Sequence, residues 1–441
     1  MPRCRWGVTG SLSPSLLRSD VLVFIENTPR AYAWGSTNAL AEMLGTSPTG
    51  EPQAELWLGT HPGSPAHVAK ATPVEHTLID LVQGDPERYG VDGGPLPFLL
   101  KVLAIGAPLS LQVHPDAAQA AAGFAAEEAA GIPREARERN YGDAHHKPEL
   151  LVALSDVTAL SGFRSLDSAR RDLRALATCA RERGATAGAG ALDAAAARLG
   201  DRDAEAARRD FIAWAFRGDA EVVAALAALP AAVATRAEAA DADQDRIAAL
   251  RRILETHPGD PGALVSLLLH HVRLAPGEAL FLPARQLHAY LGGIAVEVMA
   301  ASDNVLRAGL TEKHVDVDEL CRVLDAGEIA EPRFPERALA AGLVAWQPGV
   351  PDFQLLRARV CDPDDRDAGL GVPDRGAAAE IEVAAAHPIV LVVTAGRVRV
   401  ERLATEFAEV ATARRGQSLY VSAGDPIRLT GSGEVFLATV G

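Results

Sequence analysis

The sequence predicts a mainly β fold, with two β domains of which the first is interrupted by an α-helical insertion. Three observations carry this. Short apolar runs alternate with Gly and Pro punctuation over 55–63, 95–106 and 108–114, which is the rhythm of strands rather than of a long helical period. Apolar residues then fall at helical spacings through a stretch rich in Ala, Arg and Glu between 165 and 269. From Val272 the β pattern returns and holds to the end of the chain.

In chain order, an apolar run at 21–25 opens the folded part, and Asn27-Thr28-Pro29 supplies its turn. Asp116, following Pro115, is placed to cap an Ala-rich helix that reaches about residue 130. Leu166, Leu173 and Leu176, and later Ile247, Leu250 and Leu254, mark amphipathic helices. The stretch from Gly184 to Gly190 reads as a loop between them, and Asp260-Pro261 as the N-cap and first-turn proline of a last helix carrying Leu264, Leu267 and Leu268. Pro276-Gly277 turns a hairpin, 318–326 reads as a short helix, and 387–400 and 417–421 are the clearest late strands. The expected domains are therefore 21–164 with 270–340, the helical insertion 165–269, and a C-terminal β domain 341–441, preceded by an extension over residues 1–20.

Composition narrows the function. The 441 residues carry 43 basic and 58 acidic side chains, a net charge of −15, which disfavours a nucleic-acid binder because the phosphate backbone demands clustered Lys and Arg. The apolar runs at 98–105 and 263–269 fall far short of the roughly 20 residues of a membrane span. Cys4, Cys179, Cys321 and Cys361 are widely separated, as suits a reducing compartment. The first 20 residues contain Arg3, Arg5 and Arg18 but no continuous apolar core of a signal peptide. A cytoplasmic protein is expected, monomeric or at most weakly dimeric.

Chemistry concentrates in a few residues. Gln112 and His114 stand at i and i+2 on an apolar strand, so both point to one face. Gly277, Pro283 and His288 match the second signature of cupins in spacing, with Arg285 where a glycine is usual, and would return a strand that aims His288 at the first pair. The fold class is then two cupin-like jelly rolls, the second degenerate, with the helical subdomain inserted in the first. Glu149, in His145-His146-Lys147-Pro148-Glu149, offers a carboxylate. Two imidazoles, a carboxylate and an amide suit a borderline cation, zinc before manganese or iron.

Five strings in the same order give a specific resemblance: Tyr32-Ala33-Trp34-Gly35-Ser36, Glu55-Leu56-Trp57-Leu58-Gly59-Thr60-His61-Pro62, Pro108-Leu109-Ser110-Leu111-Gln112-Val113-His114-Pro115-Asp116, His146-Lys147-Pro148-Glu149 and Ser302-Asp303-Asn304-Val305-Leu306-Arg307-Ala308-Gly309-Leu310-Thr311. From about Phe24 to Leu320 the chain resembles the type I mannose-6-phosphate isomerases. The resemblance implies interconversion of mannose 6-phosphate and fructose 6-phosphate through a cis-enediol, as part of carbohydrate metabolism, with one zinc per chain on Gln112, His114, Glu149 and His288. Arg307 would be a fixed cation at the reacting carbons or the phosphate, and Lys147 and Glu297 are the candidates for proton transfer. Ser110, Lys101 and Lys313 are candidates for the phosphate, and Tyr290 for a substrate hydrogen bond. Glu297, in an apolar strand, needs a partner such as Arg307 or the metal site. An iron-dependent cupin oxygenase and a non-catalytic sugar-binding cupin are the competing classes; the amide ligand and the set Lys147, Arg307 and Lys313 favour a phosphosugar isomerase.

Overall fold

The computed structural model of the chain describes residues 22–69, 76–89, 94–200, 203–362, 376–402 and 409–441; the extension over 1–20, with Cys4, lies outside them. The described residues build two ten-stranded antiparallel sheet systems, each organised on one long strand. In the first, His288–Ala300 pairs with Phe98–Ile105, Gln112–Val113, Glu149–Ala153 and Val157–Phe163. In the second, Ile389–Arg402 lies beside Ile427–Thr439 and Ser418–Val421.

Period-two alternation separates the faces of the first barrel. Along Phe98–Ile105, Leu100, Val102 and Ala104 join a core shared with Trp346, Val390, Tyr420 and Phe436 of the second domain. Leu103 and Ile105 face the other way, into the first barrel, and so does Lys101, two residues before Leu103 in the same alternation. On His288–Ala300, Val296 and Val298 belong to the shared core and Ala295 to the barrel interior, which turns Glu297 inward too. Apolar residues on the outside of the first sheet thus weld the two domains, and the inward charges are left for the site.

Two elements differ from the sequence reading. The first strand, Leu22–Glu26, pairs with Ser418–Val421 (Leu22 opposite Val421) and so completes the second sheet, although its position in the chain suggests the first domain. Nothing local could show this, because the partner lies almost 400 residues away. The stretch 184–190 is not wholly a loop either: the helix Thr186–Arg198 includes Gly188, whose bare Cα lies against Ala228. A Cβ there would sit 2.3 Å from the Ala228 methyl, so the glycine serves close helix packing and not a turn.

The insertion otherwise follows its apolar pattern. Helices Leu166–Glu182, Ala204–Ala215, Ala220–Arg236 and Gln244–Thr256 are capped by the side chains of Ser165, Asp203, Asp219 and Asp243. The last, short helix Gly262–Ser266 begins one residue later than the sequence suggests, with Pro261 at the N-cap; Asp260 still accepts the Gly262 N–H at 2.7 Å. Buried Arg208 fastens the insertion to the barrel by donating to the carbonyls of Ala326 (2.8 Å) and Arg164 (2.9 Å). Among the described residues no single helix is long and apolar enough to cross a membrane.

Candidate metal centre and active-site pocket

The turn that delivers His288 is built as its signature demands. Gly277 has φ +90°, the strand Ala279–Leu282 ends at Pro283, and Arg285 stands at φ +71° where a glycine would be unstrained. The Arg285 N–H donates to the His114 carbonyl at 2.7 Å, and its guanidinium donates to the Val323 carbonyl at 3.1 Å. Those bonds hold the left-handed residue in place. His288 then lies opposite Gln112 across the ladder, and Gln112 lies opposite Arg307 on its other side.

His114, Glu149 and His288 are all buried, with ligand atoms within 4.8 Å of one another. His114 Nδ1 bonds the Asn304 carbonyl (2.6 Å) and His288 Nδ1 the Gln286 carbonyl (3.0 Å). A carbonyl only accepts, so each Nδ1 carries the proton and each Nε2 presents a lone pair. Both Nε2 atoms face Glu149, at 3.3 Å to Oε1 and 3.3 Å to Oε2, and His114 Nε2 and Glu149 Oε2 have no hydrogen-bond partner. Lone pairs aimed at a carboxylate repel unless a cation lies between them. Burial depresses the His114 imidazole to about 4, against the pull of Glu149. Burial of Glu149 is outweighed by positive charge beside it, with the Lys147 ammonium 3.2 Å from Oε1, so its carboxyl is held well below the usual range. Neutral imidazoles and an ionised carboxylate are the states a metal requires. The Gln112 amide reaches His288 Nε2 at 3.2 Å, and rotation of the amide by half a turn puts its oxygen in the same place. The four predicted ligands thus converge, and their chemistry fits a divalent cation of zinc type.

Beside this centre opens a cavity of about 620 Å³ lined by Lys101, Ser110, Gln112, Lys147, Glu149, Tyr290, Glu297, Arg307 and Lys313, among others. On its inner wall Lys101 lies between Trp57 and Glu297 in ladder register, with Nζ 3.5 Å from Glu297 Oε2 and 4.9 Å from the Trp57 ring. Tyr290 donates its hydroxyl to Glu297 Oε1 at 2.8 Å, seven residues along one strand. A straight strand would set the two on opposite faces about 23 Å apart. A bulge between Tyr290 and Gly292, with Gly293 at φ +114°, breaks the regular alternation and bends the strand, which allows the contact. The partners of Glu297 are therefore Lys101 and Tyr290, not Arg307. Burial, then the charge of Glu149, raises the Glu297 carboxyl. Lys101 stays protonated against its own burial because Glu55 and Glu297 surround it. Lys147 lies 3.2 Å from Glu149 Oε1.

At another side of the cavity stand half-buried Arg307 and exposed Lys313. Burial lowers Arg307, and the like charge of Arg307 lowers Lys313; among the described residues neither forms an ion pair with a carboxylate. Ser110, two residues before Gln112, lines the same space. The insertion contributes Thr256 and His257, and His257 Nε2 bonds the Pro108 carbonyl at 3.1 Å, so the helical subdomain forms part of the wall.

Sequence reasoning gave no role to Glu55 and passed over Trp57, His61 and Asp303. Glu55 and Trp57 alternate onto one face of Glu55–Leu58, and the Trp57 indole N–H donates to Glu55; this i, i+2 spacing was a usable signal. Asp303 lines the cavity 3.4 Å from His61 Nε2, while His61 Nδ1 accepts the Gly63 N–H at 3.1 Å and so fixes the tautomer that donates to Asp303. That pair joins loops 242 residues apart and has no signature of its own.

Residues 22–166 match the family described as phosphomannose isomerase type I, catalytic domain. The mannose-6-phosphate isomerase of Escherichia coli (strain K12) is 42% identical over 301 residues, 67% of this chain and 72% of that protein. The Bos taurus mannose-6-phosphate isomerase is 32% identical over 358 residues, 75% and 80% of the two chains. A zinc-bound crystal structure of mannose 6-phosphate isomerase superposes with TM-score 0.80 at 31% identity, covering 95% of this chain and 99% of the other. A variant of the phosphomannose isomerase from Salmonella typhimurium gives 0.81 at 30% identity with the same coverage. By sequence over two thirds of its length and by fold over nearly all of it, the chain belongs to the type I phosphomannose isomerase family.

Proposed function

We propose that this protein is a zinc-dependent aldose–ketose isomerase that interconverts mannose 6-phosphate and fructose 6-phosphate by C1–C2 proton transfer through a cis-enediol. The observation that carries the reading is a single cavity with three parts: a convergent His–Glu–His centre, a raised inward carboxyl at Glu297, and two cations, Arg307 and Lys313, that form no ion pair among the described residues. Gln112, His114, Glu149 and His288 would hold the metal, whose charge polarises the sugar oxygens. Its identity as zinc is taken from the zinc-bound relative.

Glu297 is our choice for the proton shuttle. A carboxyl lifted toward neutrality both takes and returns a proton efficiently, and Tyr290 and Lys101 fix its two oxygens. Lys147, tied to Glu149, serves as a cation beside the reacting oxygens. Arg307, Lys313 and Ser110 receive the phosphate, while Lys101 is occupied in holding Glu297. Neither competing cupin class uses all of this: an oxygenase has no need of the paired cations, and a passive binder has no need of a raised inward carboxyl.

A coupled assay for fructose 6-phosphate formation, run on protein as purified, after chelation and after zinc is restored, tests the proposal. Activity lost and then regained is expected; well-folded protein inactive in all three states would overturn it.

A further inference from the structure

The helical insertion grips the segment that carries the two pocket cations. Asp260 lies between the helices Gln244–Thr256 and Gly262–Ser266, and its Oδ1 accepts the N–H groups of Gly262 (2.7 Å) and Leu310 (2.8 Å). Its Oδ2 accepts the Thr311 N–H at 3.2 Å. Leu310 stands at φ +56°, and among the described residues Arg285 is the other non-glycine at positive φ. A leucine reaches that conformation only when its surroundings over-determine it.

The approach is close enough to need glycine on both sides. A Cβ on Gly309, at φ +106°, would lie 2.6 Å from Gly262 Cα and 2.8 Å from Asp260 Oδ1. One on Gly262 would lie 2.8 Å from the Leu310 nitrogen. Upstream, the segment is held by the sheet: Arg307 pairs with Gln112, the Ala308 N–H donates to Leu111, and the Leu111 N–H donates to Gly309. Downstream, the Lys313 N–H donates to Thr311 Oγ1 at 3.1 Å.

Arg307 and Lys313 flank the gripped residues, and two like charges that form no ion pair among the described residues would drift apart if the chain between them were free. Relaxing Leu310 to a right-handed conformation would separate them, but it would also strip two amides from Asp260. We propose that Asp260 is a positioning residue for phosphate recognition: by holding the Leu310 and Thr311 amides it keeps Arg307 and Lys313 on one wall of the pocket. The inference rests on the phosphosugar reading of that pocket. It assigns the insertion a part in substrate affinity, through a residue that does not line the cavity.

The test uses the full-length zinc-loaded enzyme and measures kcat and KM for mannose 6-phosphate and the inhibition constant of inorganic phosphate. Asp260→Asn is expected to raise KM and the inhibition constant together by about tenfold while kcat changes less than about threefold, the pattern of lost remote binding. Gly262→Ala keeps the carboxylate but presses a methyl on the Leu310 nitrogen; it should reproduce the effect, and the double variant should be no worse than the worse single one. Asp260→Asn with both constants unchanged, or with activity falling only in proportion to folded, zinc-loaded protein, overturns the inference. Should Asp260→Asn fail to fold, Gly262→Ala decides by the same two constants. A wild-type enzyme that neither turns over the sugar phosphate nor binds phosphate would instead sink the phosphosugar reading, and this inference with it.

Discussion

Glu297 shows how much one side chain depends on neighbours that are remote in sequence. Flanked by Val296 and Val298, it is legible from the sequence as a carboxylate in need of a partner, but the partner is set by strand register and by a bulge, neither of which is written locally. Register brings Lys101 to 3.5 Å, and the bulge brings the Tyr290 hydroxyl to 2.8 Å. Glu297→Gln should lower kcat by about 10²- to 10⁴-fold, the usual contribution of a proton-transfer group, with zinc content intact. The fold should survive, because Glu55 remains beside the buried Lys101 ammonium. Metal analysis and steady-state kinetics on one preparation check both halves; a kcat within a few-fold of wild type would remove Glu297 from the proton path.

Among the elements, the turn from Pro283 to His288 was the most readable, because its spacing is local and each residue in it has a steric task. The sequence even showed the anomaly, an arginine at a glycine position, and the structure gives its meaning: Arg285 is left-handed and exchanges backbone strain for the Val323 hydrogen bond. Arg285→Ala and Arg285→Gly both delete that bond, but glycine alone relieves the strain. The glycine variant should therefore be the more stable of the two by about 1 kcal/mol, the difference between the left-handed penalty and the extra freedom glycine has when unfolded. Thermal melts of the two variants side by side check this, and an alanine variant as stable as the glycine one would show that the turn carries no strain. Elements joined over long distances were less legible. The strand Leu22–Glu26 finds its partner at Ser418–Val421, and the His61–Asp303 pair joins separate loops, since non-local pairing leaves no periodic trace.

On the scale of the whole molecule, the question is how a C-terminal domain without a part in the metal centre affects the site. The broad contact is apolar, where Leu100, Val102 and Val298 meet Trp346 and Tyr420, and it is insensitive to pH. One polar contact is different: His146 Nε2 lies 2.9 Å from Asp352 Oδ2, joining the segment that carries Lys147 and Glu149 to the loop between Leu343–Trp346 and Gln354–Val360. The Asp352 hydrogen bond, against partial burial, raises the His146 imidazole above its ordinary 6.5, with Asp116 adding a smaller pull. A histidine whose folded value is raised binds its proton more tightly when folded, so its stabilisation is complete below about pH 6.5 and is lost as pH rises through the folded value. Asp352→Asn removes the raised value and with it the pH dependence. The gap in melting temperature between zinc-loaded wild type and Asp352→Asn should be widest below about pH 6.5 and narrow as pH rises through the folded value of the imidazole. A gap that stays constant across that range would mean that the His146–Asp352 pair does not titrate, and that the histidine contributes nothing pH-dependent to the join between the domains.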